Sequence, residues 1–156
     1  MTDTQILSQQ NFLPSLLVVE DSDADFEAFI RVIRQLSIKN PIYRCSNGDE
    51  ALDFLYHAGE YREEATAPRP AVILMDLNLP GTDGRDLIQQ LKQDEKLKSI
   101  PLVVLTTSSN PKDVEICYQY GVNSYMVKPM GIQTLKKILH DFFNYWFESV
   151  VLPNVV

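Results

Sequence analysis

Four apolar stretches each run into a residue able to do chemistry. Leu16-Leu17-Val18-Val19 ends in Glu20-Asp21, Ala71 to Met75 ends in Asp76, Leu102-Val103-Val104-Leu105 ends in Thr106-Thr107-Ser108, and Tyr125-Met126-Val127 ends in Lys128-Pro129. Apolar runs without polar alternation suit strands covered on both faces of a parallel sheet. Open sheets of that kind collect ligand chemistry at the carboxyl ends of their strands. Taken singly, Asp76 reads as a turn or cap residue, Thr106 as a strand-end hydroxyl and Lys128 as a surface lysine. Their ordered placement at successive strand ends favours one shared site instead. Glu20, Asp21 and Asp76 brought together would repel one another, so the cluster either raises a pKa or binds a cation. A hard divalent ion with oxygen ligands, Mg²⁺ or Mn²⁺, suits such a set.

The elements that must position these residues follow from the chain in order. Residues 1–14 are polar and uneven and read as a flexible lead-in, residues 15–148 as one domain, and residues 149–156 as a tail. Ser22 or Asp23 can cap a helix whose Phe26, Phe29, Ile30, Ile33 and Leu36 share one face. Asn40-Pro41 breaks that helix, and Ile42 to Cys45 is a short strand. Ser46-Asn47-Gly48-Asp49 turns into a helix with Ala51, Leu52 and Leu55 inward. Residues 59–70, with Glu60, Glu63, Glu64, Pro68 and Pro70, read as a surface loop. It is a candidate partner contact, although a tolerated insertion is the plainer reading. Pro80, Gly81 and Gly84 interrupt regular structure before a helix predicted from Asp83 to about Gln93, with Leu87, Ile88 and Leu91 inward. Asn110 as cap and Pro111 at the first helical position open a helix to about Tyr120, which Gly121-Val122-Asn123 stops. A last helix starts near Gly131. Strands alternating with helices imply a parallel sheet covered on both faces.

With Glu20-Asp21, Asp76 followed by Asn78 and Pro80, Asp83-Gly84, Thr106 and Lys128-Pro129 in this order, the chain resembles the receiver domains of two-component response regulators. The likeness runs from Ser15 to Trp146, and five ordered motifs are far more specific than any one of them. It implies a flavodoxin-like (βα)5 α/β fold with strand order 2-1-3-4-5. It also implies that Asp76 accepts a phosphoryl group from a sensor histidine kinase. Asp21 and Asp76 would be direct metal ligands, Glu20 would act through water, and Asn78 would offer its backbone carbonyl. Lys128 and the Thr106 hydroxyl would each hold a phosphoryl oxygen, and the Lys128–Pro129 bond would be cis. Thr106 drawn towards the phosphoryl group would let Tyr125 move inward, altering the face made by the fourth helix, the fifth strand and the last helix. Asp-Leu-Asn-Leu-Pro from Asp76, the Gly-Glu-Tyr loop, Val-Leu-Thr-Thr-Ser and the aromatic ending are similar to single-domain regulators of cyanobacterial phytochromes. That narrower likeness makes a phytochrome kinase the donor. The chain is then a signalling protein that dephosphorylates itself slowly, not an enzyme.

Composition narrows the partners. The 156 residues carry a net charge of −7, which disfavours a nucleic-acid surface, because phosphate binding needs a basic face. No stretch reads as a signal peptide or a membrane span. Cys45 and Cys117 form no framework or metal pattern and read as buried thiols, which points to the cytoplasm. A haloacid-dehalogenase-like phosphatase would need a second Asp where Asn78 stands, and a flavin module would gain nothing from three carboxylates, which repel anions. A receiver-like module that binds partners without phosphorylation is the remaining alternative. The ending adds more apolar surface than one helix needs to bury, and such patches mark interaction sites. Phe142, Phe143, Trp146, Phe147, Val150 and Leu152 are therefore candidates for a homodimer contact, against a tail folded back on its own domain.

Overall fold

A computed structural model describes residues 13–63 and 66–153, so residues 1–12 of the lead-in, Glu64 and Ala65 of the loop, and residues 154–156 of the tail lie outside the described residues. Five parallel strands, β1 (Leu16–Val19), β2 (Ile42–Cys45), β3 (Val72–Met75), β4 (Leu102–Thr106) and β5 (Ser124–Val127), form one sheet in the order β2-β1-β3-β4-β5. Five helices, α1 (Asp23–Gln35), α2 (Gly48–Tyr56), α3 (Gly84–Gln93), α4 (Pro111–Tyr120) and α5 (Ile132–Phe143), connect and cover them. The expected strand order and the alternation of strand and helix are both present.

Side-chain alternation along the strands divides the core. Leu17, Val19, Ile73 and Met75 pack under α2, α3 and α4, while Leu16, Val18, Val72 and Leu74 pack under α1 and α5. The three central strands β1, β3 and β4 are therefore buried on both faces, and burying one Leu or Ile side chain fully contributes about 1.5–3 kcal/mol. Ser22 caps α1, accepting from the Asp25 N–H, and Asn47, Asp83 and Asn110 cap α2, α3 and α4 in the same way. The apolar face of α1 also includes fully buried Val32, which stands three residues after Phe29 and four before Leu36 and so fits the same helical pattern.

Two segments carry contacts that the sequence does not announce. The surface loop after α2 is fastened to that helix: Tyr61 lies 5.1 Å from the Phe54 ring, its hydroxyl donates to Glu50 at 2.7 Å, and His57 Nε2 meets the Ala67 carbonyl at 2.7 Å. Ala67 itself is buried. At the other end, Phe142 and Phe143 are not free for a partner, because both are buried in the layer under α1 and α5. Phe143 lies 6.4 Å from the Phe29 ring of α1 and 5.3 Å from Phe142. Beyond α5 the chain continues as a wider helical turn, Asn144–Ser149, in which the Val150 N–H reaches the Tyr145 carbonyl. Trp146, Phe147 and Leu152 pack partly on the same layer, Val150 is half-buried, and Tyr145 and Val151 face outward. Among the described residues, no helix is long and apolar enough to cross a membrane.

Candidate functional site

Register sets the site. Val19 pairs with Met75, so Glu20 and Asp76 emerge side by side from neighbouring strands, and the Asp76 N–H donates to the Val19 carbonyl at 3.0 Å. Thr106 pairs with Val127, which places Lys128 next, its N–H donating to the Thr106 carbonyl at 2.7 Å. Glu20 (5% exposed), Asp76 (7%) and Thr106 (0%) are buried, whereas Asp21 faces solvent. The structure thus gathers every acidic, hydroxyl and basic residue named for the site at one end of the sheet.

Lys128 Nζ is the hub. It donates to Glu20 Oε1 at 2.6 Å, to Asp76 Oδ2 at 2.8 Å and to Asp25 Oδ2 at 2.8 Å. All three ammonium hydrogens are therefore engaged by carboxylates. Asp25 is a site residue that the sequence reasoning missed. Its signal was its place in the first turn of α1, one helical turn beyond Asp21, on the side that meets the strand ends. The Lys128–Pro129 bond is trans, not cis, since no described residue has a cis peptide bond. Trans is the intrinsically favoured form even before proline. The amine needs no cis bond to face inward, because three carboxylates hold it there and Gly131, at φ +88°, turns the chain into α5.

The Asp76 loop is compact. Asn78 N–H donates to Asp76 Oδ1 at 3.1 Å, and the Gly84 N–H returns to the Leu77 carbonyl at 3.0 Å. Burial pushes the Glu20 carboxyl up to about 8, a hydrogen bond shared with Asp76 adds to the rise, and Lys128 opposes it. Burial also lifts Asp76, but hydrogen bonds from Glu20, Lys128 and the Asn78 N–H outweigh it and hold Asp76 below the usual carboxylate range. Burial lowers Lys128, and its bonds to Asp25, Asp76 and Glu20 more than reverse that, so the amine stays charged.

The donor set fits a hard divalent cation. Glu20, Asp21 and Asp76 each offer an oxygen, and these oxygens lie within 4.8 Å of one another. Glu20 Oε2 is buried without a protein hydrogen-bond partner, so it has an acceptor position to give. Oxygen ligands in a partly buried acidic cluster match Mg²⁺ chemistry.

Thr106 Oγ1 is likewise buried without a partner. A buried hydroxyl left unpaired is destabilising, so Thr106→Val is expected to stabilise the unphosphorylated protein by about 1 kcal/mol in urea unfolding. A comparable loss instead would mean that the hydroxyl has a partner in solution. Tyr125 is half-buried against the layer under α2, α3 and α4, and its hydroxyl donates to the Ser108 carbonyl at 2.8 Å. It therefore links β5 to the loop that follows Thr106.

A model of the response regulator receiver domain matches residues 16–140. The response regulator Rcp1 of Synechocystis sp. is 41% identical over 138 residues, covering 88% of this chain and 92% of its own length. A probable methanogenesis regulatory protein, FilR2 of Methanothrix harundinacea, is 36% identical over 132 residues, covering 84% of this chain and 82% of its own length. Among solved structures, the Mn²⁺-bound form of Rcp1 superposes with a TM-score of 0.82 at 40% identity, covering 90% of this chain and 99% of that one. The phosphorylated cyanobacterial phytochrome response regulator RcpA does so with a TM-score of 0.84 at 34% identity, covering 91% of this chain and 99% of that one.

Proposed function

Because the chain belongs to the receiver-domain family of response regulators, we propose that it accepts a phosphoryl group on Asp76 from a sensor histidine kinase and signals through protein contacts. The observation that carries this reading is the Lys128 ammonium 2.8 Å from the buried Asp76 carboxylate. An Asp76 oxygen attacks phosphorus and forms an acyl phosphate as the bond to the donor's leaving group breaks. Lys128 meets one oxygen of the transferring group with a hydrogen and a charge, and the unpartnered Thr106 hydroxyl donates to another. Asp21 and Asp76 would hold Mg²⁺ directly, Glu20 through water and Asn78 by its backbone carbonyl. When bound, the ion neutralises charge on the phosphoryl oxygens.

Drawing Thr106 towards the phosphoryl group moves the strand end to which Tyr125 is tied through Ser108, which makes Tyr125 the reporter on the face of α4, β5 and α5. The donor we favour is a phytochrome kinase, on the likeness to proteins named as phytochrome response regulators. The protein acts in the cytoplasm, binds no nucleic acid and hydrolyses its own phosphate slowly. Trp146, Phe147, Val150 and Leu152, beside exposed Tyr145 and Val151, form its homodimer contact.

Intact mass after incubation with acetyl phosphate tests the reading. The wild type should gain one phosphoryl mass in a Mg²⁺-dependent way and Asp76→Asn should gain none; no gain by the wild type would overturn it. Light scattering on the same samples reads the dimer, and a monomer at every concentration in both states would remove that contact.

A further inference from the structure

β2 sends no carboxylate to the site, yet one of its side chains holds the loop that does. Beyond the Glu20 N–H, which donates to the Cys45 carbonyl at 2.9 Å, the pairing of β1 with β2 ends. The next two carbonyls take Arg44 instead: Nε donates to the Glu20 carbonyl at 3.0 Å and Nη2 to the Asp21 carbonyl at 3.3 Å. Nη2 also meets Asp23 Oδ1 at 2.8 Å, and the guanidinium carbon lies 4.7 Å from the centre of the Phe26 ring. One planar fork therefore spans the stretch from the end of β1 into the first turn of α1.

These contacts differ in weight. The Asp23 side chain is 86% exposed, so its ion pair is screened and weak. The Arg44 side chain is 21% exposed, and its charge-assisted bonds to two successive carbonyls fix two peptide planes. Those planes decide where the Glu20 and Asp21 side chains leave the backbone. The Cys45 carbonyl holds only the Glu20 N–H, so beyond it the fork is what β2 supplies to keep the two carboxyl groups from swinging apart.

We propose that Arg44 is a positioning residue for the divalent cation, its fork on the Glu20 and Asp21 carbonyls setting both side chains in ligand geometry before the ion arrives. This rests on reading Glu20, Asp21 and Asp76 as the cation site. The charge of Arg44 acts in the opposite sense, since a nearby guanidinium repels a cation. Fork and charge are thus separable by substitution. Lys keeps the charge but offers no planar fork, and Met removes both.

The test is a Mn²⁺ titration of the full-length protein, following free Mn²⁺ by electron paramagnetic resonance, beside thermal unfolding of the metal-free forms. Arg44→Lys and Arg44→Met should each weaken Mn²⁺ binding about tenfold, the size typical of outer-shell partners of metal ligands. Wild-type affinity in both variants, or tighter binding by Arg44→Met, would overturn the role. So would a lowered melting temperature with unchanged affinity, which marks a merely structural contact. If neither variant folds, Phe26→Leu removes the ring beneath the guanidinium and should weaken binding by about twofold or more, again as a loss of outer-shell support; an unchanged affinity there overturns the role. Failure of the wild type itself to bind Mn²⁺ would instead strike the cation-site reading.

Discussion

Lys128→Met is expected to lower the rate of phosphorylation by acetyl phosphate about a hundredfold at saturating Mg²⁺. Removing one preorganised donor aimed at developing charge costs roughly 10²–10³ in rate elsewhere. Here the donor also carries the positive charge that faces the buried Asp76 carboxylate at 2.8 Å. Breaking such a pair from one side leaves uncompensated charge, which costs about 3 kcal/mol or more of stability. Lys128→Arg separates the two effects. It restores charge and hence stability, but its broader fork does not present a single hydrogen at the same point, so the rate stays low. Time courses of intact mass and urea unfolding measure both; a rate for Lys128→Met within about threefold of wild type would refute the assignment of Lys128 as a phosphoryl ligand.

Gly84→Ala is expected to destabilise the protein by about 3 kcal/mol, at the upper end of overpacking costs. Gly84 opens α3, and a methyl group there would lie 2.6 Å from Leu77 Cα, 2.7 Å from the Leu77 carbonyl oxygen and 2.9 Å from the Asp76 carbonyl oxygen. Every one of these atoms is backbone, so no side chain can swing away. Relief requires moving the Asp76–Leu77 segment or the start of α3, which also breaks the Gly84 N–H bond to Leu77. For a chain of this size the melting temperature should fall by roughly 10 °C. A loss under about 1 kcal/mol would mean that the loop shifts freely. Because the clash falls on the acceptor's own loop, Gly84→Ala should also slow phosphorylation in whatever fraction remains folded.

Much of this arrangement was legible because the two kinds of signal are local. Unbroken apolar runs mark β1, β3 and β4, and the residue that ends each run is fixed by its place in the chain. Once parallel pairing aligns Val19 with Met75 and Thr106 with Val127, the meeting of Glu20, Asp76, Thr106 and Lys128 needs no further information. Asp25 was not legible, because which carboxylate of α1 meets the amine depends on how that helix lies against the loop after β5. The expected cis bond came from family likeness, and nothing in Lys128-Pro129 itself distinguishes the isomers. Phe142 continues the inward face of Leu135, Ile138 and Leu139, as its spacing indicates, but as dimer candidates Phe142 and Phe143 misled for a geometric reason. Adjacent residues on one helix diverge by about 100°, so both are buried only where neighbours cover a wide arc of that helix. Here the Phe29 ring of α1 lies 6.4 Å from Phe143, and Phe147 on the widened turn stacks on Phe143 at 5.4 Å and meets Phe142 edge-on at 6.5 Å. The fastening of the loop after α2 escaped for a similar reason, since Tyr61 and Ala67 find their partners only once α2 is in place.

The hydrogen bond between Lys128 and Glu20 joins residues 108 positions apart in the chain. During synthesis, β1, α1, β2 and β3 can collapse while β5 is still being made. Such a fragment, once extended to Asp76, holds the site's four carboxyl groups, Glu20, Asp21, Asp25 and the acceptor, but lacks the amine. Contacts this distant form late, because closing long loops costs entropy before the contact rewards it. The amine therefore reaches Asp76 only once the last strand has docked, and a chain short of that strand carries the acceptor without the charge that faces it.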